Sequence, residues 1–152
     1  MNKTIVMNLK NLGVTEYEDF EFNSFCYFNG AYYGANSSGI FMLEGDKDGT
    51  ANIDASFKTG KTDIGIDNQK IPVDVYVTVK GDGGYRYKTL TGENTEYFYD
   101  IHGREKYPHT VKANLSRGIK ERFIGTGFAN SNGSDFEVQS IKLNVDVLKG
   151  KK

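Results

Sequence analysis

The stretch Ile141-Lys142-Leu143-Asn144-Val145-Asp146-Val147 decides the fold class of this chain. Its odd-numbered residues are apolar and its even-numbered residues are polar. A period of two is typical of a β-strand with one face on a hydrophobic core and the other face in water. Between Val138 and Ile141 the apolar phase shifts by one residue, which predicts a β-bulge near Gln139-Ser140.

Other parts of the chain carry the same kind of signal. Residues 71–79 and 111–115 also alternate, and residues 119–130 are predicted to continue the sheet. Asn29-Gly30 lies between two aromatic runs and favours a type I′ hairpin turn, because both central residues of that turn need positive φ. One face of the first of these strands is predicted to carry Ile71, Val73, Val75, Val77 and Val79.

The composition supports the same fold class. The chain has 18 glycines but only two prolines, and 10 Phe and 10 Tyr but no Trp. Aromatic residues suit a half-buried pleated surface, and glycine supplies the positive φ of tight turns. We therefore predict an all-β chain with little or no helix. Its expected architecture is an antiparallel β-sandwich of roughly ten to twelve short strands, jelly-roll-like rather than a small closed barrel.

The length of 152 residues predicts a single β domain over residues 1–152. Residues 1–12 are predicted to form an N-terminal arm or an edge strand, and the basic tail 149–152 is predicted to be disordered. The first residues have too short an apolar run for a signal peptide, and no window reaches the roughly 18 apolar residues of a membrane span. We therefore expect a protein with no membrane association.

Charge and cysteine content exclude two classes of protein. With 19 basic and 20 acidic residues the net charge is -1, so the basic footprint of a nucleic-acid-binding protein is absent. Cys26 is the single cysteine, which excludes a disulfide-stapled secreted scaffold. Its thiol is predicted to be a small buried apolar group between Phe25 and Tyr27.

Residues 100–110 hold both histidines, His102 and His109, beside Asp100 and Glu105. This is the segment where a metal site or an acid and base pair could be assembled. A single His-x6-His matches no required ligand spacing, and no nucleophile stands beside a base. We predict an exposed loop here and no enzymatic activity, with no catalytic, cofactor-binding or metal-binding residue.

Two short motifs resemble ion or phosphate sites. The turn with Asp46 and Asp48 is similar to a fragment of a calcium loop, but it lacks the EF-hand spacing and the final Glu. A plain turn is favoured, and cation binding there is left open. Gly60-Lys61-Thr62 resembles the end of a phosphate loop, but the first glycine is missing and no helix pattern follows, so this reading is rejected.

Aromatic and turn motifs follow one another along nearly the whole chain. They comprise Phe22-Asn23-Ser24-Phe25-Cys26, Gly30-Ala31-Tyr32-Tyr33-Gly34-Ala35, Gly39-Ile40-Phe41-Met42-Leu43-Glu44-Gly45, Thr59-Gly60, Asp63-Ile64-Gly65, the strand after Lys70, Arg117-Gly118-Ile119-Lys120-Glu121-Arg122-Phe123, and Asn130-Ser131-Asn132-Gly133-Ser134-Asp135-Phe136-Glu137. Their order resembles a family of small all-β virion structural proteins of tailed bacteriophages. Phe123-Ile124 stands where members of that family often have a Tyr-Trp pair.

The resemblance implies a structural component of a phage tail, connector or baseplate. Such a protein would be made in the host bacterial cytoplasm and would reside in the virion. It would act by oligomerising, as a homo-oligomer or ring, and by packing against other virion proteins. The acidic stretch from Glu16 to Glu21 could then meet a basic partner.

The alternative function is a binding module for a host-surface carbohydrate or receptor. Exposed aromatic side chains on a β-sandwich form a platform for sugar rings. The absence of Trp counts against this alternative. On this hypothesis the candidate residues are Tyr32, Tyr33, Tyr85, Tyr87, Tyr97 and Tyr99.

Overall fold

The computed structural model describes residues 3–18, 20–45, 47–92 and 95–149. Within these ranges it has fourteen strands and no helix, and every paired strand is antiparallel. The all-β prediction is confirmed, although the strands outnumber the ten to twelve expected. The part of the chain with assigned coordinates contains no helix long and apolar enough to cross a membrane.

The chain folds into two compact units, residues 1–45 and residues 46–152. The prediction of a single domain over residues 1–152 stays a prediction. The strands of the first unit are β1 (Lys3–Met7), β2 (Val14–Glu18), β3 (Ser24–Phe28), β4 (Ala31–Asn36) and β5 (Gly39–Met42). Those of the second are β6 (Lys47–Asp48), β7 (Ala51–Asn52), β8 (Ser56–Lys58), β9 (Lys70–Gly81), β10 (Gly84–Thr91), β11 (Thr95–His102), β12 (Glu105–Asn114), β13 (Gly125–Asn130) and β14 (Glu137–Val147).

The first unit consists of a β1–β2 hairpin and a three-stranded sheet in the order β3-β4-β5. The predicted hairpin turn joins β3 to β4, with φ of 47° at Asn29 and 86° at Gly30. These angles are those of a type I′ turn, which explains why the dipeptide Asn-Gly stands there. The strand β1 lies within the predicted arm 1–12 and pairs along its full length with β2.

The second unit is sandwich-like. One sheet has the order β11-β10-β13-β8 and the other has the order β12-β9-β14, with a separate β6–β7 hairpin. From β8 to β14 the chain changes sheet at every step except between β10 and β11. The seven strands of the two sheets are one fewer than the eight of a complete jelly roll.

The core of the second unit lies between the inner faces of these two sheets. Buried apolar side chains come from five strands and from the segment after β12, and Phe136, Val138, Ile141 and Leu143 pack against them. This cluster comprises Val75, Val77, Val79, Tyr85, Tyr87, Ile101, Val111, Ala113, Leu115 and Phe128. The alternating stretches of the sequence therefore do supply the core.

Two bulges shift the faces of the paired strands β9 and β14. Val79 pairs with Val138 and Thr78 with Ser140, so Gln139 is the extra residue, as predicted. A second shift leaves Val73 without a register partner on β14. The prediction that Ile71 and Val73 share the core face of Val75 is therefore wrong, since the phase of β9 changes at Val73.

The predicted strand over residues 119–130 also differs from the observed structure. Only residues 125–130 of the predicted strand 119–130 form a strand, β13. Before it, Ile124 pairs with Thr62 and Glu121 pairs with Lys70 as isolated bridges. This approach helps to bury Lys70, whose Nζ donates to the carbonyl oxygens of Ile66 (2.5 Å), Asn68 (3.0 Å) and Arg122 (2.8 Å).

Candidate functional site

Residues 3–45 carry a high density of exposed apolar side chains. In the described part of this unit, only Gly34 is buried. Below about 40 residues a chain usually needs a disulfide, a metal or a partner to be stable, and this unit is only slightly longer. The exposed large apolar residues here are Ile5, Val6, Met7, Leu9, Leu12, Val14, Tyr17, Phe25, Tyr27, Phe28, Tyr32, Ile40, Phe41 and Met42.

One face of the β3-β4-β5 sheet is aromatic. Phe25, Gly34 and Phe41 lie side by side across the three strands, and Tyr27 pairs with Tyr32. The Phe22 ring packs directly on Gly34, where a Cβ would come within 2.6 Å of Phe22 Cγ. Phe20 joins this group, with ring centroids 4.8 Å from Phe22 and 6.0 Å from Phe25. The cluster is organised but open to solvent.

The opposite face of that sheet, which we call the bare face, is largely open to solvent in the described part of the first unit. Its larger side chains are those of Cys26, Phe28, Tyr33, Ile40 and Met42, because these residues alternate with those of the aromatic face. Ile40 is 77% exposed and Phe28 is 70% exposed. The prediction that Cys26 is buried is wrong: the thiol is exposed because it lies on this uncovered face.

The β1–β2 hairpin presents an acidic strand. Glu16 and Glu18 alternate on one face of β2, and both pair with Lys3 on β1, at 3.8 Å in the case of Glu18. The hydrogen bond from Lys3 to Glu16 raises the pKa of the lysine. Ile5 lies beside Glu16 in the register and is 69% exposed. The face therefore combines two carboxylates with an apolar side chain.

The second unit has a groove on the outer face of the sheet β11-β10-β13-β8. Its volume is about 380 Å³, and it is lined by Phe98 and by polar side chains that include two cations, Arg86 and Lys88, and one carboxylate, Asp54. The Arg86 guanidinium carbon lies 5.8 Å from the Phe98 ring centroid and Lys88 Nζ lies 5.6 Å from it. Arg86 Nε donates to Asp100 at 3.3 Å, whereas Lys88 has no carboxylate within 4 Å among the described residues. We call this surface the basic groove.

The six candidate tyrosines do not form one platform. Tyr85 and Tyr87 are buried in the core, and burial raises the pKa of Tyr87 to about 12. The hydroxyl of Tyr99 accepts a hydrogen bond from Ser116 N at 3.1 Å, and its ring packs against the core. Tyr97 is partly exposed. Two of the six are therefore unavailable to a ligand.

Tyr32 and Tyr33 point to opposite faces of the first unit's sheet, since they are neighbours on one strand. Sequence reasoning missed Phe98, the most exposed aromatic residue of β11. Its position could have been found from the alternation of Tyr97, Phe98 and Tyr99, because inward and outward positions follow each other along a strand. The sequence prediction did not assign Tyr97, Phe98 and Tyr99 to the two faces of their strand.

The histidine segment is not a loop, and that prediction is wrong. Residues 100–102 end β11, and residues 105–110 begin β12 with a register shift before His109. His109 Nε2 accepts from Arg104 N at 2.9 Å, so the proton on Nδ1 is donated to Tyr107 O at 2.8 Å. Both ring nitrogens of His109 therefore hold the turn together.

Other sequence candidates are placed as follows. Asp46 lies outside the described residues, and Asp48 is exposed in the short β6–β7 hairpin. Lys61 Nζ donates to the carbonyl oxygen of Gly92. Among the residues with described coordinates, no three His, Cys, Asp or Glu side chains are grouped so that they could hold a metal ion.

Comparisons with known proteins give no relative of this chain. No protein-family model matches it, no curated protein matches it, and no solved structure matches its fold.

Proposed function

We propose that this protein is a structural virion component of a tailed bacteriophage, in the tail, connector or baseplate. It acts by oligomerising through residues 3–45 and by packing against other virion proteins. The resemblance of the sequence motifs motivates the phage assignment. The observation that carries the assembly role is the exposed apolar surface of the first unit, whose described residues bury only Gly34.

The physical argument concerns what covers this surface. Phe28, Ile40 and Met42 lie on the bare face, and each is more than half exposed. Burying apolar surface is worth about 25 cal/mol per Å², so contiguous apolar residues of this size favour association. A second copy of the chain is the partner available to every molecule made, and symmetric homo-oligomers are the commonest assemblies.

Native mass spectrometry of the untagged chain over a range of concentrations tests this role. We expect an oligomer of definite copy number whose population grows with concentration. The variant Phe28→Ala/Ile40→Ala should shift the protein to monomer while its circular dichroism spectrum stays that of a folded β protein. A wild-type chain that is monomeric at every concentration would contradict self-assembly.

A matched control separates the bare face from exposed apolar residues in general. Tyr107 and Val147 are exposed residues of the second unit, at the ends of β12 and β14. Tyr107→Ala/Val147→Ala removes a similar amount of exposed apolar surface. The mass distribution of this variant should equal that of the wild type, and a loss of oligomer in it would remove the bare face from the proposal.

The second candidate function, carbohydrate binding, is favoured by one observation. Phe98 is 53% exposed in the basic groove, beside the polar side chains of Ser56 and Asn132. Aromatic faces with nearby hydrogen-bonding groups suit sugar rings. A glycan array probed with the intact protein should show hits that disappear in Phe98→Ala. No hits at high protein concentration would end this alternative.

A further inference from the structure

We propose that the acidic face of the β1–β2 hairpin in one copy binds the basic groove of the next copy. The inference rests on the proposed assembly role. It identifies the basic groove as the surface that the hairpin of a neighbouring copy contacts. Because the two contacting surfaces differ, two copies can exchange the contact reciprocally in a two-fold dimer, or successive copies can form a ring if the rotation closes and a filament if it does not.

The two units carry opposite charge. Residues 1–45 have two basic and five acidic side chains, a net charge of -3. Residues 46–152 have 17 basic and 15 acidic side chains, a net charge of +2. A nearly neutral chain is thus divided into an acidic part and a basic part. Complementary charge of this kind steers association and suppresses pairing of like surfaces.

The charged side chains also match in spacing. Glu16 and Glu18 are two residues apart on one strand, and so are Arg86 and Lys88 on β10. Residues i and i+2 of a strand point to the same side and are about 7 Å apart. Two carboxylates can therefore face two cations at the same separation when the strands lie against each other.

An apolar residue accompanies each charged pair. Ile5 lies opposite Glu16 in the hairpin, and Phe98 lies opposite Lys88 in the sheet β11-β10-β13-β8. Both side chains are more than half exposed. Next to the cations, the neighbouring strand contributes Ala129, whose small side chain lets another strand approach the groove floor.

The charged side chains of both surfaces can bind a new partner, and the groove lining keeps one net positive charge because Arg86 and Lys88 face a single lining carboxylate, Asp54. Lys88 has no carboxylate within 4 Å in the described ranges, and the contact from Arg86 to Asp100 uses Nε. This leaves the terminal nitrogens of the guanidinium for a carboxylate, the geometry that Arg favours. Lys3 holds Glu16 and Glu18 in an exposed ion pair, and exposed pairs are weak enough to exchange partners.

Neutral variants test the contact without introducing repulsion. We expect Glu16→Gln/Glu18→Gln and Arg86→Gln/Lys88→Gln each to weaken self-association by about tenfold or more, measured by sedimentation velocity of the intact chain. Raising the salt from about 0.1 M to about 1 M should weaken the wild type in the same direction, because the Debye length falls from about 10 Å to about 3 Å.

The decisive experiment is to mix the hairpin variant with the groove variant. Each variant keeps one half of the contact, so an equimolar mixture should form 1:1 pairs and should associate more tightly than either variant does alone. The control variants Glu105→Gln/Asp146→Asn and Lys106→Gln/Lys120→Gln change the same charges at exposed positions elsewhere. They should assemble as the wild type does.

The outcomes distinguish this inference from the proposed function. If the wild type assembles and both groove and hairpin variants assemble equally well, the charge contact is overturned while the assembly role stands. The same holds if the variants are weakened but their mixture associates no more tightly than either variant alone. If the wild type never assembles, the assembly role and this contact both fail.

Discussion

The strands β9 and β3 show how similar apolar patterns have different outcomes in the two units. On β9, Val75, Val77 and Val79 are completely buried. On β3, Phe25 is 58% exposed, Tyr27 is 63% exposed and Phe28 is 70% exposed. The β9 sheet is covered by a second sheet with complementary side chains, whereas the described residues of the first unit leave these β3 side chains more than half exposed.

The difference shows that an apolar strand face must be buried against other apolar residues. The face itself does not show whether those residues come from the same chain or from a partner. In the second unit the cover comes from the same chain, so its apolar residues contribute to folding. In the first unit the equivalent residues are free to contribute to association. Substitutions in the second unit should therefore change the free energy of unfolding, whereas matched substitutions in the first unit should change self-association.

Phe128→Ala should have the largest effect. Phe128 is completely buried, and its ring packs against Tyr85 and Phe136 at centroid distances of 5.4 and 5.2 Å. Truncating a buried Phe costs about 3–5 kcal/mol, from lost burial and the cavity that remains. Urea unfolding of the monomer should show this loss. In the matched variant Phe28→Ala, the monomer's free energy of unfolding should change by less than about 0.5 kcal/mol.

Equal destabilisation by the two Phe variants would break the comparison, because it would show that Phe28 is covered within its own chain. Native mass spectrometry gives the complementary measurement. Phe28→Ala should reduce the oligomer population at concentrations where folded Phe128→Ala still assembles.

Lys70→Met should cost about 2–4 kcal/mol of unfolding free energy. The buried ammonium of Lys70 supplies hydrogen bonds to the carbonyl oxygens of Ile66, Asn68 and Arg122. Met fills the volume of the aliphatic part of the lysine side chain but donates no hydrogen bond. A buried polar group without its hydrogen-bond partner costs about 1–3 kcal/mol. Lys120→Met, at an exposed position, is the control and should be nearly neutral in the same urea experiment. A neutral Lys70→Met would show that the three carbonyls find other donors.

The sequence predicted the class of the fold because alternation and turn chemistry are local. Residues 141–147 and Asn29-Gly30 needed no distant information to be assigned to a strand and a turn. The bulge at Gln139 was predictable for the same reason, since a phase shift is visible in the pattern. The bulge at Val73 was not, because the alternation of apolar residues at odd positions continues through it without a phase shift.

The candidate site could be predicted only in part. The acidic stretch around Glu16 is visible in the sequence, but the basic groove depends on which strands become neighbours. Lys88 and Phe98 meet because β10 pairs with β11, and Ala129 joins them because β13 pairs with β10. Cys26 was misplaced because local apolarity predicts burial, while exposure depends on a layer that the first unit lacks.

Tyr87→Phe should change how the free energy of unfolding depends on pH, by about 2–3 kcal/mol. Burial raises the pKa of Tyr87 from 10.0 to about 12 in the folded protein. The folded state therefore holds this proton more tightly than the unfolded state. The resulting stability is fully present below pH 10 and is lost as the pH rises through about 12. Urea midpoints compared across this range should fall less steeply in Tyr87→Phe than in the wild type. Parallel curves would show that Tyr87 ionises as an exposed phenol does.

Gly34→Ala should have the smallest effect, about 1–2 kcal/mol, and it should be confined to the first unit. A Cβ at Gly34 would lie 2.6 Å from Phe22 Cγ, so the ring must move from its place on the sheet, which is the kind of overpacking that destabilises a structure. Amide hydrogen exchange should be faster in residues 22–42 and unchanged in β9. Gly60→Ala is the matched control, because nothing lies within 4 Å of the added methyl. If Gly34→Ala leaves exchange unchanged, Phe22 does not pack on the sheet, and the first unit depends on its partner for its internal order as well as for its cover.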